Sequence, residues 1–277
     1  MSRQKVGILH PGEMGVAVAA TIRNSGYEVH WASEGRSAET CRRAASAGLM
    51  DAGSVAALCE TCSVIVSVCP PEFAEGLATE VAGHSFRGLY LDANAISPER
   101  ARRIGRLLES RGASFLDGCI IGMPTRTRGQ TWLYASGQNA AGAAPFFSGG
   151  PLEFESLGKE VGQASAFKMC FAAHSKGTAA LLAAVVGAAE VLGVRDVLER
   201  QWSRSGPVPA RVAESIQRAA PKAWRYIGEM KEIADTFESA GMPRGFPVAA
   251  EEIFERLAEF KGAGGPDLAA VLERLRG

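Results

Sequence analysis

The first half of the chain alternates short apolar runs with segments whose apolar residues recur at helical spacing. Val6-Gly7-Ile8-Leu9 predicts a buried strand, followed by a glycine turn and an apolar helix over Met14–Asn24. Gly26 stops that helix, and Tyr27–Trp31 predicts the next strand. Further strand-like runs lie at Ser63–Val68, Gly88–Leu91 and Ser114–Leu116, each flanked by helical patterns, with a last one around Thr131–Ala135. Strands that alternate with helices imply right-handed crossovers and a parallel sheet covered on both faces.

From about Gly162 the pattern changes. Ser165–Val191 is rich in Ala, Leu and Val without proline, enough for about seven helical turns. Its uniformly apolar second half is expected to be buried all round, in a helical core or between subunits. After a loop at Ser205–Pro209, helices are predicted over Ala210–Ala219, Pro221–Ala240, Val248–Phe260 and Pro266–Arg276, with no β signal after about Ala135. The expected organisation is an α/β domain over residues 1–161 and an all-α domain over residues 162–277, joined by a long interdomain helix.

Composition narrows the partners. Lys+Arg and Asp+Glu both number 30, which argues against a nucleic-acid groove or an anionic membrane surface. The six cysteines follow no disulfide rhythm, and Cys59-x-x-Cys62 lacks a second pair for a metal, so reduced thiols in the cytoplasm are expected. A strand pattern begins by Val6, leaving no room for a signal peptide, and the longest clean apolar run, Ala179–Ala189, is too short to span a bilayer.

The candidate chemistry begins at the first turn, His10-Pro11-Gly12-Glu13-Met14-Gly15. Gly12 and Gly15 occupy the second and third positions of a G-x-G-x-x-G dinucleotide fingerprint, with His10 at the first. The second glycine admits a pyrophosphate and the third allows close helix–strand packing. The following helix would turn its free N–H groups toward phosphate. The second strand ends at Trp31-Ala32-Ser33 without the carboxylate an NAD site wants. Arg36 and Ser37 follow, suited to a 2′-phosphate, so NADP is expected over NAD, although Glu34 keeps NAD open.

These segments, in order, resemble the β-hydroxyacid dehydrogenase superfamily, which includes 3-hydroxyisobutyrate and 6-phosphogluconate dehydrogenases and imine reductases. The turn is similar to that family's G-L-G-x-M-G, down to Met14. Cys69-Pro70-Pro71 lies where the family covers the nicotinamide side of the cofactor. Asp92–Pro98 is similar to D-x-S-T-x-x-P, with Asn94 and Ala95 replacing Ser and Thr. Asp117–Met123 matches D-A-P-V-S-G-G at Asp117 and Gly122, and Gly162–Lys168 resembles the glycine-then-lysine segment.

The resemblance implies a Rossmann-type N-terminal domain and a helical domain that forms a homodimer. It also implies an NAD(P)-dependent dehydrogenase in which Lys168 is the general acid/base. His10, Pro11, Gly12, Glu13, Met14, Ser33, Arg36, Cys69, Pro70, Pro71, Asn94 and Lys231 are the expected cofactor contacts. Asn94, Ile121, Gly122, Met123, Ala172, Ser175 and Lys176 are the expected substrate contacts. Two departures stand out: the family's Ser becomes Ile121, and its Asn four residues past the lysine becomes Ala172. On a regular helix Ser175 and Lys176 would be the polar groups nearest that vacated role. Arg126 and Arg128 could bind a carboxylate. The loss of the Ser and Asn keeps two alternatives open, an imine reductase and a nucleotide-binding sensor without turnover.

Overall fold

A computed structural model describes residues 4–124 and 127–276, and the chain divides into two compact units, Met1–Lys168 and Met169–Gly277. The first unit holds one eight-stranded sheet in the order β3-β2-β1-β4-β5-β6-β7-β8. Its elements are β1 (Lys5–Leu9), α1 (Glu13–Asn24), β2 (Glu28–Trp31), α2 (Ala38–Ser46), β3 (Met50–Asp51), α3 (Val55–Thr61) and β4 (Val64–Ser67). They continue with α4 (Pro71–Gly83), β5 (Leu89–Asp92), α5 (Pro98–Ser110), β6 (Ser114–Ile121), β7 (Trp132–Ser136) and β8 (Glu153–Gly158).

Strands β1 to β6 are parallel, in the 3-2-1-4-5-6 order of a doubly wound dinucleotide-binding sheet. Apolar residues of β1, β4, β5 and β6 divide between two cores. Ile8, Val66, Leu91 and Leu116 pack on one face, and Leu9, Ile65, Tyr90 and Phe115 on the other. This is why the strands read as continuous apolar runs rather than alternating ones.

Three expectations need correction here. β7 runs antiparallel to β6, because residues 122–131 between them are fewer than the dozen or more that a parallel crossover takes. β8 is a strand that the hydropathy pattern did not predict. It lies parallel to β7 at the sheet's edge, and its sequence EFESLG carries too much exposed polar surface to read as buried. β6 runs to Ile121, five residues beyond the predicted Leu116, because Gly118 has no side chain to betray the strand.

The second unit is helical. The long helix begins as α6 (Gln163–Ala172), widens into a π turn over Ala173–Gly177, and continues as α7 (Thr178–Val191). Then come α8 (Arg195–Ser203), α9 (Val208–Ala219), α10 (Ala223–Ser239), α11 (Gly245–Arg256) and α12 (Leu268–Leu275). The run Gln163–Val191 has 29 residues and is long and apolar enough to cross a membrane by length and composition, which corrects the estimate from Ala179–Ala189 alone. Its lysines are engaged within the protein, however, and 44% of its most apolar window is buried. α7 is not buried all round either: Leu181 and Val191 are 52% and 62% exposed.

Candidate active site

Ligands of an open α/β sheet sit beyond the carboxyl ends of its strands. One register row crosses those ends: Ser67 lies beside Asp92, Asp92 beside Asp117, and Asp117 beside Ser136. All four side chains are at most 1% exposed. The signal was visible in VIVS, LYLD and SFLD, where each apolar run meets a Ser or Asp, but hydropathy alone gives such a residue no role.

Asp117 anchors the helix that carries Lys168. Its Oδ2 accepts from the Gly162 and Ser165 backbone N–H groups at 2.9 and 3.0 Å and from Ser136 Oγ at 3.1 Å. Its Oδ1 accepts from Ser165 Oγ at 2.5 Å. A carboxylate here satisfies N–H groups that α6 cannot satisfy itself and complements the helix dipole. Burial pushes the Asp117 carboxyl above the usual carboxylate range, and the Ser165, Ser136 and Gly162 hydrogen bonds pull it back. Lys168 lies one turn past Ser165, and its Nζ donates to the Ile120 carbonyl of β6 at 2.7 Å. The lysine and the Ile121–Met123 segment therefore meet at one end of β6.

Asn94 braces the neighbouring loop. Its Oδ1 accepts from the Cys69 N–H at 2.6 Å, its Nδ2 donates to Ser67 Oγ at 3.1 Å, and its own N–H donates to Asp92 Oδ1 at 2.9 Å. Asn94 is 2% exposed, so it shapes the Cys69-Pro70-Pro71 entry to α4 from within the protein. Burial pushes the Cys69 thiol up to about 12, which leaves it un-ionised at neutral pH. Asp92 Oδ2 is buried without a partner, and burial pushes that carboxyl up to about 7 against the pull of the Asn94 N–H.

The glycine turn divides its work as the fingerprint requires. A Cβ on Gly15 would lie 2.3 Å from the His10 carbonyl, so only glycine lets α1 pack this close to β1. A Cβ on Gly12 would meet nothing within 4 Å, which leaves room above the turn. Gly12 is the N-cap of α1 and offers no side-chain hydrogen bond to its first turn. His10 takes the left-handed backbone, φ 64°, where the fingerprint has its first glycine. Its Nδ1 lies 2.9 Å from Arg36 Nη1, while His10 Nε2 and Arg36 Nε are buried without partners. Burial and the neighbouring Arg36 charge lower the His10 pKa to about 4.

Arg36 itself is returned toward β1 by a Ser33–Arg36 turn, closed by its N–H on the Ser33 carbonyl at 3.0 Å. Ser37, its expected companion, accepts from the Thr40 N–H as the N-cap of α2. An open glycine, an uncapped helix start and two orphaned buried donors fit the phosphates of a dinucleotide.

The remaining candidates are placed as follows. Gly122 has φ 117°, and a Cβ there would lie 2.4 Å from the Gln130 carbonyl, so the turn after β6 demands glycine. Ile121 is partly exposed, and Met123 is exposed with its carbonyl accepting from Thr131 Oγ. Arg126 lies outside the described residues, and Arg128 donates to the Ser148 carbonyl at 3.2 Å. In the helical unit Ala172 is buried, and Ser175 Oγ donates back to the Phe171 carbonyl at 3.0 Å. Lys176 pairs with Glu229 and lies 4.8 Å from the Tyr226 ring centre. Lys231 pairs with Glu251 at 3.2 Å from an exposed position. The π turn widens the helix at Ala173–Gly177, so regular helical spacing does not project Ser175 and Lys176 from Lys168. No group of metal-ligating side chains occurs among the described residues.

Sheet order and glycine turn together define a dinucleotide-binding protein with a helical second unit. Residues 5–145 match the NAD binding domain of 6-phosphogluconate dehydrogenase, and residues 189–257 match a domain of unknown function, DUF1932. The chain belongs to this NAD-binding family of hydroxyacid dehydrogenase-like proteins. It is 27% identical to an L-threonate dehydrogenase from Cupriavidus necator over 99% of this chain and 96% of that protein. A conserved protein of unknown function, MTH1747, described as structurally similar to 3-hydroxyacid dehydrogenases, is 30% identical with a TM-score of 0.70. The match covers 92% of this chain and 97% of that one. At 20% identity the Mycobacterium tuberculosis 3-hydroxyisobutyrate dehydrogenase shares the fold over 100% of both chains, with a TM-score of 0.72. An imine reductase from Bacillus cereus also shares it, at 16% identity and a TM-score of 0.58, over 99% of this chain and 100% of that one.

Proposed function

We propose that the protein is an NAD(P)-dependent oxidoreductase that prefers NADP and interconverts an alcohol and a carbonyl on a small polar substrate, with Lys168 moving the proton. One observation carries this reading. The only lysine of the Gly162–Lys168 segment is held by Asp117-anchored α6 against the carboxyl end of β6, with Nζ 2.7 Å from the Ile120 carbonyl. The bound dinucleotide would supply or accept the hydride.

The chain's own residues do the rest. The turn His10–Met14 and the uncapped start of α1 would hold the pyrophosphate, and Arg36 beside Ser33 a 2′-phosphate. The Cys69–Pro71 loop, pinned by Asn94, would wall the cofactor. Lys168 as an ammonium gives a proton to the substrate oxygen on reduction, and as an amine takes it back on oxidation. The Ile120 carbonyl fixes its Nζ in either state. The L-threonate dehydrogenase relative supports a hydroxyacid-like substrate.

A second reading, an imine reductase, is favoured by Ile121 and Ala172, which offer no polar group to a carboxylate or hydroxyl. A homodimer goes with either reading and is supported by apolar residues at the end of α7, where Val191 and Leu192 are 62% and 73% exposed. Cytoplasmic location goes with six cysteines that are all free thiols.

Lys168→Ala is the test. Turnover of screened hydroxyacids, carbonyls or imines should fall about 10²- to 10⁴-fold, the usual worth of a general acid/base, while NADPH binding followed by nicotinamide fluorescence stays within about twofold. A wild-type protein that binds neither dinucleotide would sink the proposal. One that binds NADPH but turns nothing over would leave the sensor reading.

A further inference from the structure

We infer that His10, although it sits in the phosphate turn, is the positioning residue for cofactor choice: it holds the Arg36 guanidinium ready for a 2′-phosphate. The inference rests on the reading that this turn receives a dinucleotide.

Three observations converge on it. The first is a substitution against backbone preference. At φ 64° glycine is the residue favoured without strain, and this chain places a histidine there instead. The second is what the side chain does from that position. Its Nδ1 accepts from Arg36 Nη1 at 2.9 Å across 26 residues of sequence, which ties the β1 turn to the β2 loop. For Nδ1 to accept, the ring must be neutral with its proton on Nε2. Burial and the adjacent Arg36 charge keep it so at neutral pH. The third is what remains unsatisfied. Arg36 Nε is a buried donor without an acceptor, on the guanidinium that His10 holds, and a phosphate monoester has an oxygen for it.

The Ser33–Arg36 turn, with Gly35 at φ 70°, aims the arginine back toward His10 rather than out along the loop. Without His10, Arg36 is a loop arginine that must be ordered by the ligand, and that ordering lowers affinity. With it, the fork is already in place. Selectivity for the phosphorylated ribose is then set jointly by the two loops that close β1 and β2.

The experiment compares wild type, His10→Gly, His10→Asn, Arg36→Ala and the His10→Gly/Arg36→Ala double variant. Each is titrated with NADPH, NADH, adenosine 2′,5′-bisphosphate and ADP, and thermal unfolding serves as the check on folding. His10→Gly restores the fingerprint glycine, so the fold is retained. Its NADPH and 2′,5′-bisphosphate affinities should fall about tenfold or more, the scale of one lost charge-assisted hydrogen bond, while NADH and ADP stay within about twofold. His10→Asn tolerates the left-handed backbone and keeps an acceptor near the Nδ1 position, so it should recover most of the loss. The double variant should bind NADPH no more weakly than Arg36→Ala, because His10 acts through Arg36.

Equal losses for NADPH and NADH in His10→Gly would overturn the inference by reducing His10 to a part of the turn. So would a preference for NADPH that Arg36→Ala removes and His10→Gly leaves intact. In both cases the dinucleotide reading stands. Wild type that binds NADH as tightly as NADPH overturns the inference and the NADP preference while the dinucleotide reading stands, and binding of neither overturns all three.

Discussion

The two units hold their candidate residues in different ways. In the α/β unit Asp117 and Asn94 are buried, and backbone N–H groups supply several of their hydrogen bonds. In the helical unit Lys176 is held by an ion pair and a ring face, and Lys231 reaches from an exposed position to the largely buried Glu251. Backbone-anchored carboxylates and amides fix geometry without relying on long side chains, whose ion pairs weaken with salt and pay rotamer entropy. The difference teaches that the sheet fixes its candidate residues through the backbone, while the helical unit holds its own through side chains.

Substitution tests that contrast. The largest effect is expected from Asp117→Ala, which strips an acceptor from two backbone N–H groups and two hydroxyls. At about 1–3 kcal/mol for each buried donor left unmatched, and with water repairing part of it, the loss should be about 5 kcal/mol in denaturant unfolding. A loss under about 1 kcal/mol would mean that α6 is held by something else.

Asp92 gives a pH signature. Its folded pKa is raised from 3.8 to about 7, so between those values the folded protein holds a proton that the unfolded chain has released. Its contribution to stability is therefore complete below the unfolded pKa, declines as pH rises toward 7, and is gone above it. The window corresponds to about 4 kcal/mol. Asp92→Asn lacks this term, so its stability relative to wild type should climb as pH rises from 4 to 7 and level off above.

The two glycines separate packing from binding. Gly15→Ala drives a Cβ to 2.3 Å from backbone that cannot step aside, and should cost about 3 kcal/mol. Gly12→Ala meets nothing, and at φ −69° it should leave stability within about 0.5 kcal/mol while weakening dinucleotide binding.

Effects in the helical unit should fall below those of Asp117 and Gly15. Lys176→Ala removes a largely buried lysine from its ion pair with Glu229 and should cost about 2 kcal/mol, whereas Lys231→Ala removes a 62% exposed lysine, which water replaces beside Glu251, and should cost less than about 1 kcal/mol. Comparable losses at the two sites would erase the distinction drawn between them.

Most of the frame was legible in the sequence because it is local. The runs at β1, β4 and β5 and the turn between β1 and α1 each announce themselves within a few residues. The helical second half is legible from composition and spacing alone. What was not legible depends on partners far along the chain. Asp117 meets Ser165 across 48 residues and Asn94 meets Cys69 across 25, and no periodicity encodes either pairing. β8 is an edge strand with a polar sequence, so its partner β7 defines it rather than its own hydropathy. The π turn needs one extra residue in a helix whose sequence, AHSKG, looks unremarkable. Lys168 stood out in the sequence, but the carbonyl that holds it became visible only once β6 extended past Leu116.

The row of Ser67, Asp92, Asp117 and Ser136 also bears on how such a protein can diversify. Asp117 answers four donors at once, so a single change there strands several groups that no one neighbouring change can satisfy. A few positions further along, Ile121 is partly exposed and Met123 is exposed, so their side chains carry less of the frame. Lineages of this fold can therefore explore new substrates by exchanging the residues just past the row. The lattice beneath resists such exchange, because a change within it leaves buried donors without an acceptor.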